Sequence, residues 1–334
     1  METYLSKQKR HEFFGFGWSF HYGDLSLEEA ERGNRDFRPV TIPHDWLMDY
    51  EASGLDEKSG SMNWKYGIGI YRKEFLIDRK NEGNTIRLLF DGAYQDVTVY
   101  LNGKKLGGNF YGYIPFSFDI SKEVHYNAPN VLIVRVDNSA QPNTRWYSGS
   151  GITRDVWIDS LNPVHVSENG TYIVTDSLEN GIASLSVTVE IDNDSDEDHV
   201  ISVTNCIYGP DKGLVAAFTS NMVIGGGCIC SHLKQNLFIK NAALWSPDMP
   251  QMHHMETEVT EGDIVIDRYV SSFGIRSILF DADKGFFING KHLKIHGMAI
   301  HNDAGQLGAA VPVKIWKRRL ERLKGMGCNA IRTA

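Results

Sequence analysis

The chain has 334 residues and a mass of 37.6 kDa, which at ~100–200 residues per domain predicts two or three domains. Hydrophobic residues make up 42% and charged residues 23%, with a mean hydropathy of −0.30, a composition that excludes a disordered chain. No run approaches the ~18 consecutive apolar residues of a membrane helix, and a net charge of −8 argues against nucleic acid or an anionic membrane as partner. The first thirty residues lack an apolar h-region, so no secretory signal is read. The expected compartment is cytoplasmic if Met1 is native, and otherwise exported with a signal removed. Cys206, Cys228, Cys230 and Cys328 are too few for a disulfide framework, and all four are expected to be small buried thiols.

From about residue 10 to 275, short alternating runs separated by turn signals predict an all-β pattern. Thr85–Phe90, Asp96–Leu101 and Val131–Asp137 read as strands, and Asn102-Gly103 supplies the two positive-φ residues of a tight hairpin. Pro115 predicts an edge strand or a bulge, because proline cannot donate to a ladder. A first sandwich of the jelly-roll type is expected over 1–163, with a boundary at Asn162-Pro163. Further strands at Ser184–Ile191, Val200–Tyr208, Asn236–Lys240 and Asp263–Phe273 predict an immunoglobulin-like sandwich over 164–279. The acidic run Asp192–Asp198 reads as a solvated loop.

The pattern changes near Asp281. Asn289-Gly290 signals another hairpin, and His292–Gly297 is expected as a strand. Met298–Val311 forms a loop, and Pro312 opens a helix at its first turn. Val313, Trp316, Leu320 and Leu323 form one apolar stripe, expected to be left partly uncovered by an incomplete barrel and to be buried against the sandwiches, another chain or residual barrel segments. Gly325 and Gly327 end the helix, and Cys328–Thr333 reads as a second, parallel strand. Strand, helix and parallel strand make one βα unit, the repeat of a (β/α)₈ barrel. Residues 280–334 are a fraction of the ~250 such a barrel needs, so an incomplete third domain is expected there. The cations Lys314, Lys317, Arg318, Arg319, Arg322 and Lys324 read as that helix's solvated face. His292 and His296 lie ~13 Å apart along a strand, too far to share a metal ion. Asn169-Gly170-Thr171 and Asn193-Asp194-Ser195 are formal glycosylation sequons.

Several segments together resemble glycoside hydrolase family 2, and its β-galactosidase branch in particular. They are Ile42–Trp46 (IPHDW), Tyr71–Phe75 (YRKEF), Asp91–Gly103 (DGAYQDVTVYLNG), Arg145–Trp157 (RWYSGSGITRDVW), Leu244–Pro247 (LWSP), Phe273–Arg276 (FGIR), Phe286–Gly297 (FFINGKHLKIHG), His301–Val311 (HNDAGQLGAAV) and Asn329–Thr333 (NAIRT). They occur in the family's order over nearly the whole chain. The resemblance implies a mainly β front part: a sugar-binding jelly roll, an immunoglobulin-like sandwich and the opening of the catalytic barrel. It implies a retaining hydrolase of β-linked sugars, whose acid and nucleophile, ~5–5.5 Å apart, lie on later barrel strands. Both catalytic glutamates are accordingly expected beyond Ala334. No Asp or Glu of this chain is expected to fill either role, so the 334-residue chain is expected to be inactive.

The substrate-binding residues implied by the resemblance are His301 and Asp303 after the first barrel strand, Arg332 at the end of the second, Arg145 and Trp146 in a first-domain loop, and Asp45. Only Ala334 follows the second strand, which is expected to be frayed there. The family's usual His-His-Asp is His301-Asn302-Asp303 here. No cofactor is expected of this chain, while Mg²⁺ or Na⁺ is implied only for some full-length relatives. The expected partner is a β-galactoside or related glycan, and a homo-oligomer is left open. The alternatives are a stand-alone carbohydrate-binding sandwich, a structural sandwich without ligand, and a β-glucuronidase or β-mannosidase of the same family.

Overall fold

The computed structural model describes residues 2–5, 10–33, 35–54, 64–144 and 146–333. The protein is mainly β, and it divides into two compact units with separate cores. The first unit comprises residues up to 160 together with 298–327 and 331–333; the second comprises 161–297 and 328–330.

The larger sheet of the first unit runs in the order Arg38–Val40, Trp18–Tyr22, Gly67–Ile77, Asn130–Asn138, Val97–Leu101, Lys104–Asn109. Glu2–Tyr4 adds in parallel along Phe75–Ile77. The second sheet orders His11–Phe13, Val156–Leu161, Thr85–Phe90 and Phe116–Asp119. Alternation sends Phe20, Tyr71, Val99 and Val134 from one sheet and Leu88, Phe90, Val156 and Ile158 from the other into a single core. Lys73 breaks that alternation. Its ammonium is buried 4.4–5.7 Å from the rings of Phe14, Tyr4 and Trp18, and it donates to the Tyr4 hydroxyl at 2.9 Å and to the Phe16 carbonyl. Burial pulls its pKa down to about 8. The outer face of the large sheet is covered by the Leu27–Arg32 helix, whose Ala30 packs on Ile70 and Ile133. Ser26 and Glu29 form a capping box at its start. Pro115 immediately precedes Phe116–Asp119, an edge strand, where its missing N–H costs no ladder bond.

The second unit is a sandwich of three and four strands. Val164–Glu179, Ile182–Asn193 and Ser231–Lys240 face Leu214–Ile224, His199–Tyr208, His253–Glu261 and Ile264–Phe273. Val187, Val189 and Ile191 of one sheet meet Val203, Ile207 and Met255 of the other. A three-stranded sheet follows, Ile278–Asp281, Gly285–Ile288 and Lys291–His292, turned at Asn289 (φ 50°) and Gly290 (φ 73°).

The last elements are the strand Gly297–Ile300, the helix Val313–Gly325 and the strand Ala330–Thr333. The two strands are hydrogen-bonded to each other. Asn329 and Ala330 both donate their N–H to the His296 carbonyl, at 3.0 and 3.3 Å, so the strands start together and run the same way. Thr333 still belongs to the paired strand, while Ala334, where fraying is expected, lies outside the described residues. The strand expected at His292–Gly297 is displaced by several residues. The Asn329 carboxamide occupies that stretch instead, donating to the Lys294 carbonyl at 2.9 Å and accepting the His296 N–H at 2.8 Å. Within this single chain the helix stripe is partly covered: Val313 is 73% and Leu320 42% exposed, while Trp316 and Leu323 are half-buried. One further expectation is corrected. None of the four cysteines is fully buried, and Cys228 and Cys230 are exposed because they lie on the connection between Leu214–Ile224 and Ser231–Lys240.

Candidate functional site

The loop His301–Val311 is a compact turn held at both ends. Within it, the Ala304 N–H donates to the Gly308 carbonyl (2.9 Å) around a short 3-10 turn, and Gly308 sits at φ +55°. At one end, the Asp303 carbonyl accepts from the Arg319 guanidinium at 2.7 Å, which lies 5.0 Å from the Trp316 ring centre. Arg319 thus leaves the solvated face assigned to it by spacing. At the other end, the Ala309 N–H donates to Asp45 Oδ2 at 2.8 Å.

Asp45 opens the 3-10 turn Trp46–Asp49, where its Oδ1 accepts the Leu47 N–H (3.2 Å), a local cap. The same oxygen accepts the Ser150 N–H at 3.0 Å, and Oδ2 accepts the Tyr147 hydroxyl at 2.6 Å. Burial pushes the Asp45 pKa up, and the four donors pull it back only in part. Burial and then the charge of Asp45 push the Tyr147 hydroxyl well above the ordinary tyrosine range, with Asp303 adding to the effect. Asp45 is 4% exposed and both its oxygens are taken by protein donors. Its expected sugar contact is therefore replaced by a structural one. The neighbouring His44 is likewise engaged within the protein, through Nδ1 to the Tyr71 hydroxyl (2.8 Å) and Nε2 to Asp49 (3.0 Å).

Beside this loop lies a cavity of about 520 Å³ walled by Tyr111, Tyr113, Trp146 and Trp316, with His301, Asn302, Arg154 and Thr333 among its polar members. The Trp146 indole N–H donates to the Tyr113 hydroxyl at 3.2 Å, which sets the tilt of a half-exposed ring. A second hollow, about 460 Å³, shares Tyr113, Arg154, Asn302 and Trp316 and adds Asp91 and Asp155. Burial, and then the Asp91 charge, raise the pKa of Asp155. Ring faces suit the C–H face of a pyranose, while imidazole, amide and guanidinium supply directional bonds to its hydroxyls. Among the described residues, no carboxylate lines the first cavity.

Of the residues expected in the site, His301 and Trp146 reach this cavity. Asp303 adjoins it through its loop, its carbonyl fixed by Arg319. Arg332 does not join them: Ile331 and Thr333 line the cavity, and alternation turns the residue between them to the other face of the strand. Arg145 lies outside the described residues, as does Ala334, the position after which both catalytic glutamates are expected. Sequence reasoning missed Tyr111, Tyr113 and Arg154 as cavity walls. The only signal was the aromatic run Phe110–Tyr113, which reads equally well as sandwich packing. Among the described residues, no group of three or more His, Cys, Asp or Glu side chains converges in a way that could hold a metal ion.

Residues 36–163 match the model of the glycosyl hydrolases family 2 sugar binding domain, and residues 164–276 match that of glycosyl hydrolases family 2. The chain is 38% identical to the β-galactosidase BoGH2A of Bacteroides ovatus, over 98% of this chain and 38% of that protein. It is 33% identical to a putative β-glucuronidase of Formosa agariphila, over 96% of this chain and 30% of that one. The chain therefore spans about a third of the length of these relatives. Among solved structures it is similar to a family 2 member from Bacteroides cellulosilyticus, with TM-score 0.89, 31% identity, and coverage of 98% of this chain and 44% of that one. A Bacteroides uniformis β-glucuronidase superposes with TM-score 0.86 at 28% identity, over 97% of this chain and 39% of that one. With two successive family domains matched across residues 36–276 and this fold shared along its length, the chain belongs to glycoside hydrolase family 2.

Proposed function

We propose that this chain supplies the glycan-contacting, non-catalytic part of a retaining β-galactosidase, with Gly297–Thr333 as the opening strand, helix and strand of the catalytic barrel. The observation that carries the reading is the cavity where Trp146 and Tyr113 meet His301 and Asn302: a wall suited to a sugar ring, with no acid among the described residues that line it. Retaining hydrolysis needs two carboxyl groups ~5–5.5 Å apart astride the bond. In this reading the acid and nucleophile come from barrel strands beyond Ala334. The higher identity to a β-galactosidase than to a putative β-glucuronidase supports the galactoside.

The 334-residue polypeptide is expected to release no chromophore from nitrophenyl β-galactoside, β-glucuronide or β-mannoside. The full-length gene product is expected to prefer the galactoside in kcat/KM. Turnover by the short chain would refute the assignment and turn attention to Asp91 and Asp155. Preference for a glucuronide would keep the family and change the sugar.

A further inference from the structure

We infer that Asp45 is a positioning residue: a single buried carboxylate sets the spacing between the two segments that wall the glycan cavity. The inference rests on the proposed glycan site. One segment carries Trp146, and its next residue, Tyr147, donates its hydroxyl to Oδ2 at 2.6 Å. The other carries His301 and Asp303, and its far end donates the Ala309 N–H to the same oxygen at 2.8 Å. The two segments are more than 150 residues apart in sequence and meet on one atom.

The surroundings of that atom are shaped for it. A Cβ added to Gly308 would stand 2.3 Å from Oδ2, and one added to Gly149 would stand 2.9 Å from it, so bare backbone closes over the carboxylate from both segments. Both glycines also hold positive φ, 55° and 77°. Four donors converge on the group, which suits an ionised carboxylate, an acceptor at every lone pair. Asparagine would aim an NH₂ at one pair of those donors. Among the described residues no Lys or Arg pairs with Asp45, so the carboxylate is desolvated with only neutral donors to hold it. An apolar side chain would avoid that cost. What the carboxylate adds is geometry, and a displacement of 1 Å at a reacting sugar can cost on the order of 100-fold in rate.

The test uses Asp45→Asn and Tyr147→Phe, with Ser26→Ala as a control that loosens the distant helix cap. Amide hydrogen exchange is followed in the 334-residue chain, and kcat and KM in the full-length product. In Asp45→Asn the Ala309 amide is expected to exchange about 100-fold faster, while amides of Gly67–Ile77 keep their protection. kcat is expected to fall ~10–100-fold with KM within about twofold, because the walls are misplaced while the groups that bind remain. Tyr147→Phe keeps three of the four donors and should give a smaller loss of the same kind; Ser26→Ala should leave kcat unchanged.

Unchanged exchange at Ala309 would overturn the inference. So would faster exchange with normal kcat, or a loss of kcat that Ser26→Ala reproduces. If the full-length product cleaves no β-glycoside, the proposed function fails. Exchange at Ala309 and at the Trp146–Tyr147 amides then judges the tie by itself: acceleration of both in Asp45→Asn supports it, and protection of either refutes it.

Discussion

His253 is 1% exposed, and its Nδ1 meets no hydrogen-bond partner among the described residues. Burial first, and then the neighbouring His254, push its pKa below the ordinary value, while Asp211 opposes them. The native state therefore takes up a proton at this imidazole less readily than the unfolded chain, which protonates it normally near pH 6.5. As pH falls through that range the unfolded state binds more protons, and stability is lost; above it the contribution is constant. Urea unfolding at pH 7, 6 and 5 should show this loss, and His253→Leu should flatten it and add about 1 kcal/mol by removing an unpaired buried nitrogen. A slope unchanged by the substitution would assign the pH dependence to another group. At this scale sequence says little about burial. Asp45 reads as a sugar ligand because nothing in Pro-His-Asp-Trp reveals that a backbone N–H 264 residues away will bind it. His301 and Trp146, singled out by loop position and ring chemistry, both line the cavity, though that alone assigns them no ligand.

Hairpins are the most legible elements, since a tight turn demands positive φ and Asn-Gly provides it. Asn102 and Gly103 stand at φ 50° and 80°. Spacing does not reveal the side-chain network behind that turn. The Asn102 amide donates to the Glu123 carbonyl and to Asn130 Oδ1, both at 2.9 Å, and its own oxygen accepts the Val131 N–H at 2.9 Å. Asn102→Ala should therefore cost about 3 kcal/mol, well beyond a turn propensity, because it strands three partners. Asn102→Gly should cost nearly as much despite its freer φ, and chemical denaturation of the pair separates network from conformation. The helix shows itself in its 3.6-residue period. Its partial exposure does not, because periodicity marks an apolar stripe without saying what covers it. The Gly297–Ile300 strand is displaced from its expected place because a carboxamide, that of Asn329, substitutes for ladder bonds over 294–296.

Across the molecule, each unit buries its own cluster of aliphatic side chains. A polypeptide of residues 161–297 is accordingly expected to fold alone, with cooperative urea unfolding and dispersed amide resonances. A broad, noncooperative transition would show that its seven-stranded core is insufficient. The two-sandwich architecture is readable because strand length, turn residues and alternation agree over long stretches. The return of 298–327 to the first unit is not, since the Ala309-to-Asp45 bond that helps bring it back joins one backbone N–H to one side chain.

Trp46 lies fully buried over Gly69 and stacked on Phe20, and Trp18 is sealed in the same core. Of the seven indoles in the sequence only Trp245 belongs to the second unit. Intrinsic fluorescence is thus an almost private signal of the jelly-roll half. Its emission will shift as that half opens and stay nearly silent while the immunoglobulin-like half melts, so paired optical and dichroic traces can time the two events within one sample.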